Sequence, residues 1–328
     1  MASKILIAPK LSGVVLDIAR ALAPPGFELV NADVGSAEFQ RAAPEIEFYL
    51  GRARKIDGDL FRTAPKLRLV QLLSAGHDRV DVEAARRAGV PVATNGGANA
   101  LSVAEHTLML ILATLKRLVG LHNDVVAGKW GAGEYGNAHI YELAGKTLGI
   151  VGLGNIGKKV ARRAAAFDVN ILYYDIARLT EDQADALGVR FALFTELLRS
   201  SDIVSLHVPL DASTRNLMGA REFALMKPSA VLINTCRGPV VDENALHRAL
   251  TEGRIAAAGL DVMVEEPPIP AHPLFALPNV TFTPHSAGPT WENMNDRFRN
   301  GYDNIQRVAA GRAPRWVIAE LADEAFAK

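Results

Sequence analysis

The sequence has very little of what would mark a disulfide-linked, membrane-bound or nucleic-acid-binding protein. Its 328 residues include one cysteine, Cys236, which excludes an internal disulfide framework and a cysteine-based metal cluster. The 36 basic and 36 acidic side chains balance, and no basic tract marks a nucleic-acid surface. The longest apolar run, around residues 107–115, is too short to span a membrane. The first ten residues lack the apolar stretch of a signal peptide, so we expect a cytoplasmic protein without a bound metal.

Apolar residues make up 49% of the chain, which is ample for the cores of about two domains. Strand-like runs alternate with helical stretches, and this alternation predicts parallel sheets covered by helices on both faces. The predicted strands are residues 5–8, 27–30, 46–50, 69–73, 148–151, 169–174, 203–208, 230–234, 256–260 and 280–283. The predicted helices of the first and last regions are residues 13–22, 80–88 and about 291–310. We therefore expect an α/β protein with two doubly wound domains.

The region between the two sets of strands contains a helix that is apolar on nearly every face. This helix, predicted at residues 101–118, should be buried in a core or in a subunit interface. Residues 120–145 look irregular, and we expect them to form an arm that packs on a partner subunit. Four side chains are expected to pack in a core or an interface rather than contact substrate: Trp130, Tyr135, His139 and Trp291.

The most informative segment is TLGIVGLGNIG at residues 147–157, where a strand-like run leads into the pattern G-x-G-x-x-G. Gly152 permits a tight turn, Gly154 lets a pyrophosphate approach the backbone, and Gly157 lets the following helix pack on the strand. The helix N-terminus then offers free N–H groups to the phosphates. A second strand-like run ends in Asp175, 18 positions after Gly157, where an acid would hold the ribose hydroxyls. Together these features predict a dinucleotide-binding domain.

The same acid predicts which dinucleotide is bound. The carboxylate of Asp175 would repel the additional phosphate of NADP, so we expect NAD, with NADP the lesser alternative. Arg178 lies three residues further on, and its positive charge would favour the additional phosphate of NADP.

Three chemically reactive residues follow predicted strands in the second half of the chain. Arg237 lies in NTCRG, Glu266 in LDVMVEEPP and His285 in FTPHSAG. Ligands of open α/β sheets bind at the carboxyl ends of the strands, where all three fall. Hydride transfer to a ketone needs a proton donor, and histidine suits this role. A glutamate carboxylate can orient the histidine, and an arginine can bind the negative charge of an acidic substrate. Glu265 is the alternative to Glu266 as the orienting carboxylate, and His207 is the alternative to His285 as the proton donor.

Seven segments give the chain a resemblance to the D-isomer-specific, NAD-dependent 2-hydroxyacid dehydrogenase family over essentially its whole length. They are LLSAGHDRVD (72–81), SVAEHTLMLILA (102–113), GLGNIG (152–157), HVPLDASTRNLM (207–218), NTCRGPVVDENAL (234–246), GLDVMVEEPP (259–268) and TPHSAG (283–288). The resemblance implies a Rossmann cofactor domain at residues 99–288 and a flavodoxin-like substrate domain at residues 1–98 and 289–328. It places the active site in the cleft between these domains and implies a homodimer.

The resemblance also implies catalytic and substrate-binding roles at matching positions. Arg237 would bind the substrate carboxylate and polarise the carbonyl group. His285 would be the general acid/base, and Glu266 would pair with it and favour its charged form. The backbone N–H groups of Ala75 and Gly76 would bind the same carboxylate. No cluster of basic residues stands out in the first domain as a phosphate site.

Cofactor contacts follow from the resemblance in the same way. Asp261 would hydrogen-bond the nicotinamide carboxamide, and Val103 and Thr235 would border the nicotinamide. Asn155 and Ile156 would present N–H groups to the pyrophosphate. The other predicted contacts are His207, Pro209, Thr214, His285, Ala287 and Gly288, with Gly152, Gly154, Gly157 and Asp175 described above.

The function implied is hydride transfer between NAD(H) and the second carbon of a small 2-keto or D-2-hydroxy acid, as in glyoxylate and hydroxypyruvate reductases. Which acid is used stays open, because glyoxylate, hydroxypyruvate, pyruvate and bulkier keto acids all present the same carboxylate. Two alternatives remain on the same scaffold. One is a formate or phosphite dehydrogenase, although formate enzymes carry glutamine where this chain has Glu266. The other is an NAD(H)-sensing interaction protein similar to the related transcriptional corepressors.

Overall fold

The computed structural model describes residues 2–130 and 140–324, and the chain divides into two compact units. Unit 1 comprises Met1–Asn99 and Pro289–Lys328, and unit 2 comprises Ala100–Gly288. Each unit is built on a sheet in which all paired strands run parallel. The predicted α/β class with two parallel sheets is therefore confirmed. Within the described residues, no helix is long and apolar enough to cross a membrane.

Unit 1 has a five-stranded sheet in the order β2-β1-β3-β4-β5, the flavodoxin-like order. Its strands are β1 (Ser3–Ala8), β2 (Phe27–Asn31), β3 (Ile46–Gly51), β4 (Leu69–Leu72) and β5 (Val92–Ala93). Its first four helices are α1 (Gly13–Ala21), α2 (Ala37–Ala42), α3 (Gly58–Thr63) and α4 (Val82–Ala88). The sequence predicts α4 from residue 80, but the side chain of Asp81 accepts a hydrogen bond from Ala84 N, and the helix begins two residues later, at Val82.

Unit 2 has a seven-stranded sheet in the order β12-β11-β10-β9-β6-β7-β8. Its strands are β6 (Thr147–Val151), β7 (Asn170–Tyr174), β8 (Arg190–Phe191), β9 (Ile203–Leu206), β10 (Val231–Asn234), β11 (Ala257–Leu260) and β12 (Val280–Phe282). Its helices are α5 (Ala100–Leu115), α6 (Leu118–Val126), α7 (Asn155–Ala164), α8 (Glu181–Leu187), α9 (Phe194–Ser200), α10 (Ala220–Leu225) and α11 (Glu243–Thr251). Counted from β6, this is the Rossmann order with one additional strand, and the order reverses between β6 and β9.

The last helix, α12 (Trp291–Ala309), belongs to unit 1. It begins at a capping box in which Thr290 and Asn293 each bond the backbone N–H of the other. The apolar face of α12 is buried against one face of the sheet of unit 1, with Phe298, Tyr302 and Ile305 in that core. The prediction of a helix from about Trp291 to Ala310 therefore agrees with the structure.

One predicted element is wrong. The sequence predicts a single helix over residues 101–118 and an irregular segment from residue 120, but the structure has two helices, α5 and α6. Arg117 adopts a left-handed conformation with φ 51°, which interrupts the helical hydrogen bonding. In the described part of the chain, α6 has no buried side chain, so it contributes no residue to the core of unit 2. Part of the predicted arm, including Tyr135 and His139, lies outside the described residues.

Candidate active site

The turn between β6 and α7 leaves space for a ligand beside a tightly packed backbone. Gly152 has φ 93°, and a Cβ there would lie 2.6 Å from the carbonyl oxygen of His207 at the end of β9. A Cβ on Gly157 would overlap the carbonyl oxygen of Gly152. A Cβ on Gly154, in contrast, would have no atom within 4 Å. Among residues 2–130 and 140–324, no side chain caps the N-terminus of α7, so its first N–H groups are available to an anion.

Asp175 lies at the end of β7, next to this turn. Its Oδ2 atom accepts a hydrogen bond from Leu153 N at 2.6 Å, and its Oδ1 atom accepts one from Ala177 N at 2.9 Å. The carboxylate is thereby fixed beside the glycine turn while keeping unused lone pairs. The guanidinium of Arg178 lies over the ring of Phe191, 3.8 Å from its centroid. This cation–π contact holds the positive charge of Arg178 on the surface of β8.

The three predicted catalytic residues follow three neighbouring strands at one edge of the sheet. Arg237 follows β10, Glu266 lies in the loop after β11, and His285 follows β12. The loops after β10 and β11 approach so closely that a Cβ on Gly238 would overlap the backbone of Met263. A residue larger than glycine at position 238 would therefore separate the loop of Arg237 from the loop of Glu266.

His285 and Glu266 form a hydrogen-bonded pair. The His285 Nδ1 atom lies 2.8 Å from Glu266 Oε2, which assigns the Nδ1 proton to the bond with the carboxylate. Met263 N donates to the other carboxylate oxygen at 3.2 Å and fixes its orientation. The side chain of His285 is 47% exposed, so its Nε2 edge can meet a ligand. His285 also has φ 52°, an uncommon conformation of the kind that concentrates at functional sites.

The loop of His285 is held by the buried carboxylate of Asp261. Its Oδ1 atom accepts hydrogen bonds from Thr283 Oγ1 at 2.6 Å and Ser286 N at 2.9 Å, and Oδ2 accepts one from Ala287 N at 3.1 Å. Burial alone would raise the pKa of Asp261, but these bonds and His106 outweigh burial and lower that pKa. Asp261 is therefore ionised at neutral pH, and Oδ2 keeps a lone pair for a further donor.

His106 on α5 completes this network, and its role is not predicted from the sequence. Its Nε2 atom lies 2.8 Å from Thr283 Oγ1 and 3.3 Å from Asp261 Oδ1. The network thus connects the buried helix to the strand end that carries His285. The signal in the sequence is a histidine that follows Glu105 inside a largely apolar helix.

Arg237 lies in a loop fixed by Asn234. Asn234 Nδ2 donates to the carbonyl of Arg237 at 2.9 Å, and Arg237 Nη1 donates to the carbonyl of Cys236 at 2.7 Å. The Cys236 thiol donates to Asn234 Oδ1 at 3.1 Å, and burial raises the pKa of this thiol to about 11. Cys236 is therefore protonated at neutral pH and is a poor nucleophile.

His207, the alternative proton donor, has the wrong electrostatics for that role. Burial lowers its pKa to about 4, so the imidazole is neutral at pH 7. Its Nε2 atom bonds Ser205 Oγ at 2.9 Å, while Nδ1 is buried without a partner among the described residues. The backbone of His207 lies beside Gly152, where the sheet order reverses, and an unpartnered nitrogen on this residue suits a polar ligand atom.

The remaining predicted cofactor contacts are held by short hydrogen bonds within unit 2. Thr107 links the two residues predicted to border the nicotinamide, since its hydroxyl donates to Val103 O at 2.8 Å and lies 3.0 Å from Thr235 Oγ1. Thr214 Oγ1 donates to Pro209 O at 2.7 Å. Asn155 and Ile156 are the first two residues of α7. In the loop after β12, Ala287 N donates to Asp261 Oδ2, and the carbonyl of Gly288 accepts a hydrogen bond from Ser102 Oγ.

The predicted substrate loop of unit 1 follows β4. Ser74 shapes it through a bond from its hydroxyl to the carbonyl of Gly76 at 3.0 Å. The N–H groups of Ala75 and Gly76 donate to no residue in the described part of the chain, so they are available for an anion. Trp130 and Trp291 are 81% and 70% exposed, so neither packs in the core of this chain, and their packing in a subunit interface stays a prediction.

Comparison with known proteins identifies the architecture. The family model described as D-isomer specific 2-hydroxyacid dehydrogenase, NAD binding domain, matches residues 108–287. The glyoxylate reductase of Aeropyrum pernix is 39% identical over 313 residues, which cover 90% of this chain and 93% of that protein. This chain belongs to the D-isomer-specific 2-hydroxyacid dehydrogenase family. The residues matched by the NAD-binding domain model lie within unit 2.

Solved structures of this family share the fold. A glyoxylate reductase from Paecilomyes thermophila is 27% identical, with a TM-score of 0.84 and coverage of 97% of this chain and 99% of that chain. D-Lactate dehydrogenase from Aquifex aeolicus, solved with NAD and lactic acid, is also 27% identical. Its TM-score is 0.82, with coverage of 94% of this chain and 96% of that one. The open space at Gly154, the uncapped helix and the orphaned nitrogen of His207 are compatible with NAD.

Proposed function

We propose that this protein is an NAD(H)-dependent reductase of small 2-keto acids, acting in the manner of a glyoxylate or hydroxypyruvate reductase. The observation that carries the proposal is the His285–Glu266 pair, which lies at the same sheet edge as Arg237 in a member of this family. The relatives named glyoxylate reductase, at about 40% identity over most of the chain, support the substrate class.

The mechanism follows from what each side chain can do. The glycine turn, the N-terminus of α7 and Asp175 would hold NADH, which would supply a hydride for the second carbon of the keto acid. His285 donates the proton from Nε2 to the carbonyl oxygen, since Nδ1 is engaged with Glu266. Glu266 orients the ring and stabilises the imidazolium form. Arg237 binds the carboxylate through its planar guanidinium and polarises the carbonyl group.

The auxiliary roles follow from the same geometry. Asp261 and His106 hold the loop of His285 in place through Thr283. In unit 1, the N–H groups of Ala75 and Gly76 bind the substrate carboxylate, so unit 1 is the substrate domain in this proposal. Asp261, whose Oδ2 atom has a lone pair left beside its bond from Ala287 N, would accept a hydrogen bond from the nicotinamide carboxamide.

The direct test is oxidation of NADH, followed at its absorbance band, with 2-keto acids from glyoxylate to phenylpyruvate and with formate and phosphite in the reverse direction. We expect turnover with at least one keto acid, and the D-enantiomer as product wherever the product is chiral. Turnover with formate or phosphite alone would replace the proposal by the alternative dehydrogenases. NADH binding without any turnover would favour a sensor protein.

The choice of NAD over NADP provides a separate prediction. Replacing Asp175 by serine removes the charge that repels the additional phosphate, so we expect the NADPH/NADH ratio of kcat/KM to rise by about tenfold or more. Asp182 on α8 is exposed, and Asp182→Ser is a matched control that should leave the ratio unchanged. An unchanged ratio in Asp175→Ser would contradict the role of Asp175.

We also propose that the protein is a homodimer through α5 and α6. The exposed apolar side chains on these helices support this: Leu101, Met109, Leu118, Val119, Val125 and Val126. Light scattering after size-exclusion chromatography should give twice the chain mass of 35.2 kDa. Val126→Asp, at a side chain 73% exposed, should shift the mass toward that of one chain. A wild-type mass of a single chain would contradict this proposal.

A further inference from the structure

A second carboxylate, that of Glu243, contacts the loop that carries Glu266. Glu243 is the first residue of α11, and it follows the loop of Arg237 along the chain. Its Oε1 atom accepts a hydrogen bond from Val264 N at 2.7 Å, and its side chain is only 17% exposed. Glu243 therefore links the segment after β10 to the loop after β11, the two segments that provide Arg237 and Glu266.

The N–H group that Glu243 binds is adjacent in sequence to the one that orients Glu266. Met263 N donates to Glu266 Oε1 at 3.2 Å, and Val264 N donates to Glu243. A Cβ on Gly238 would lie 2.4 Å from Val264 N, so the backbone after β10 packs directly against this pair of residues. Met263 and Val264 thus connect two carboxylates, and a shift of their backbone would move the N–H group that orients Glu266.

Glu243 is itself held by a histidine further along the same loop. His272 Nε2 lies 3.2 Å from Glu243 Oε2, and its Nδ1 atom accepts a hydrogen bond from Leu274 N at 3.4 Å. The bond from Leu274 assigns a ring proton to Nε2, so His272 can donate to Glu243 without carrying a charge. The His272 ring also packs beside Phe275, whose ring contacts that of Phe282 at the end of β12. The histidine therefore joins Glu243 to the strand that leads to the general acid.

We propose that Glu243 and His272 are positioning residues for the proton transfer. Together they fix the backbone at Met263, and through it the carboxylate of Glu266. The inference rests on the proposed function, in which His285 is the general acid and Glu266 is its partner. A carboxylate fixed beside an imidazolium stabilises it, whereas a displaced one does so less. Small shifts suffice, because a displacement of about 1 Å at a reacting group can lower a rate by about 10²-fold.

The first test follows the ring of His285 by NMR as the pH is varied, which requires no turnover. In Glu243→Ala the carboxylate of Glu266 is no longer fixed, so the His285 ring should release its proton at a lower pH than in the wild type. Glu243→Gln removes the charge but keeps an oxygen for Val264 N, and it should stay close to the wild type.

Two further variants complete this test. His272→Phe keeps a ring beside Phe275 but loses the bond to Glu243, so it should shift the titration of His285 in the same direction and by less. It also provides the measurement if Glu243→Ala folds poorly. Glu252→Gln removes an exposed carboxylate at the other end of α11 and should cause no shift.

Kinetics with the best 2-keto acid provide the second test. We expect kcat of Glu243→Ala to fall by about tenfold or more with an unchanged affinity for NADH, and the decline of the reduction rate with rising pH should begin at a lower pH. In the His285→Asn background, Glu243→Ala should lower kcat little further, because a positioning residue has no effect once the acid that it serves is absent. A residue that only stabilises the fold would lower kcat by the same factor in both backgrounds.

Three results would overturn the inference. The His285 ring could titrate identically in the wild type, Glu243→Ala and His272→Phe. Glu243→Gln could shift the titration as far as Glu243→Ala does, since the charge alone would then be responsible. The losses in kcat from Glu243→Ala and His285→Asn could multiply. In each case turnover by the wild type would still support the proposed function. Absence of turnover with every keto acid would overturn the proposed function, whereas the NMR shift would still show that Glu243 positions Glu266.

Discussion

Replacement of His285 by asparagine is expected to lower kcat by at least about 10²-fold, and by up to about 10⁴-fold, because the reaction loses its general acid. Asparagine is chosen because it tolerates the positive φ of this position better than most residues do. It cannot supply a proton as an imidazolium ion can. Steady-state kinetics with the best 2-keto acid would measure the loss, and fluorescence titration would show whether NADH still binds.

Two further variants make this result specific. His247→Ala removes another histidine of unit 2, on α11, and should leave kcat within about twofold of the wild-type value, as for most substitutions away from special features. Glu266→Gln keeps a hydrogen-bond acceptor for Nδ1 but removes the charge that favours the imidazolium, so its rate should lie between those of the wild type and His285→Asn. If His285→Asn turns over at a near wild-type rate with NADH bound, the assignment of the general acid is wrong.

Replacement of Arg237 by glutamine is expected to have the second largest effect. Truncating one partner of a buried, hydrogen-bonded charge pair costs roughly 2–5 kcal/mol, so kcat/KM should fall by about 30-fold or more. The loss should appear in both kcat and KM, because Arg237 both binds the carboxylate and polarises the carbonyl. Arg237→Lys keeps the charge but loses the planar fork, and an intermediate activity is expected.

The matched control for this prediction is Arg221→Gln, which removes an exposed arginine from α10 in the same unit. The affinity for NADH should be the same in both variants, since Arg237 is not assigned to the cofactor. A reduced NADH affinity with unchanged KM for the keto acid would assign Arg237 to the cofactor instead.

Much of the fold could be predicted because the parallel strands are short, apolar and separated by breakers. The run before Gly152 and the run before Asp175 became β6 and β7, and their order along the chain sets the Rossmann topology. The break at Arg117 could not be predicted, because nothing in an arginine specifies a left-handed conformation and the next helix has no buried face.

Parts of the site could not be predicted because they depend on contacts between distant residues. His106 and Thr283 are 177 positions apart, and their hydrogen bond exists only because α5 packs beside β11 and β12. The sequence gives no sign that Arg297, a charged residue on an amphipathic helix, is buried. In the structure α12 places it next to the end of β4, where its Nε atom donates to the carbonyl of Leu73. The His285–Glu266 pair was accessible from sequence only through the family pattern, since Glu265 has the same chemistry.

The most direct test of the account is the fate of deuterium from NADH labelled at both C4 positions. The best 2-keto acid of the panel is reduced with this cofactor, and the product is examined by proton and deuterium NMR. We expect a 2-hydroxy acid that carries one deuterium on its second carbon, transferred from the cofactor, with its hydroxyl proton drawn from solvent. Consumption of labelled NADH without deuterium on that carbon would contradict hydride transfer to a 2-keto acid.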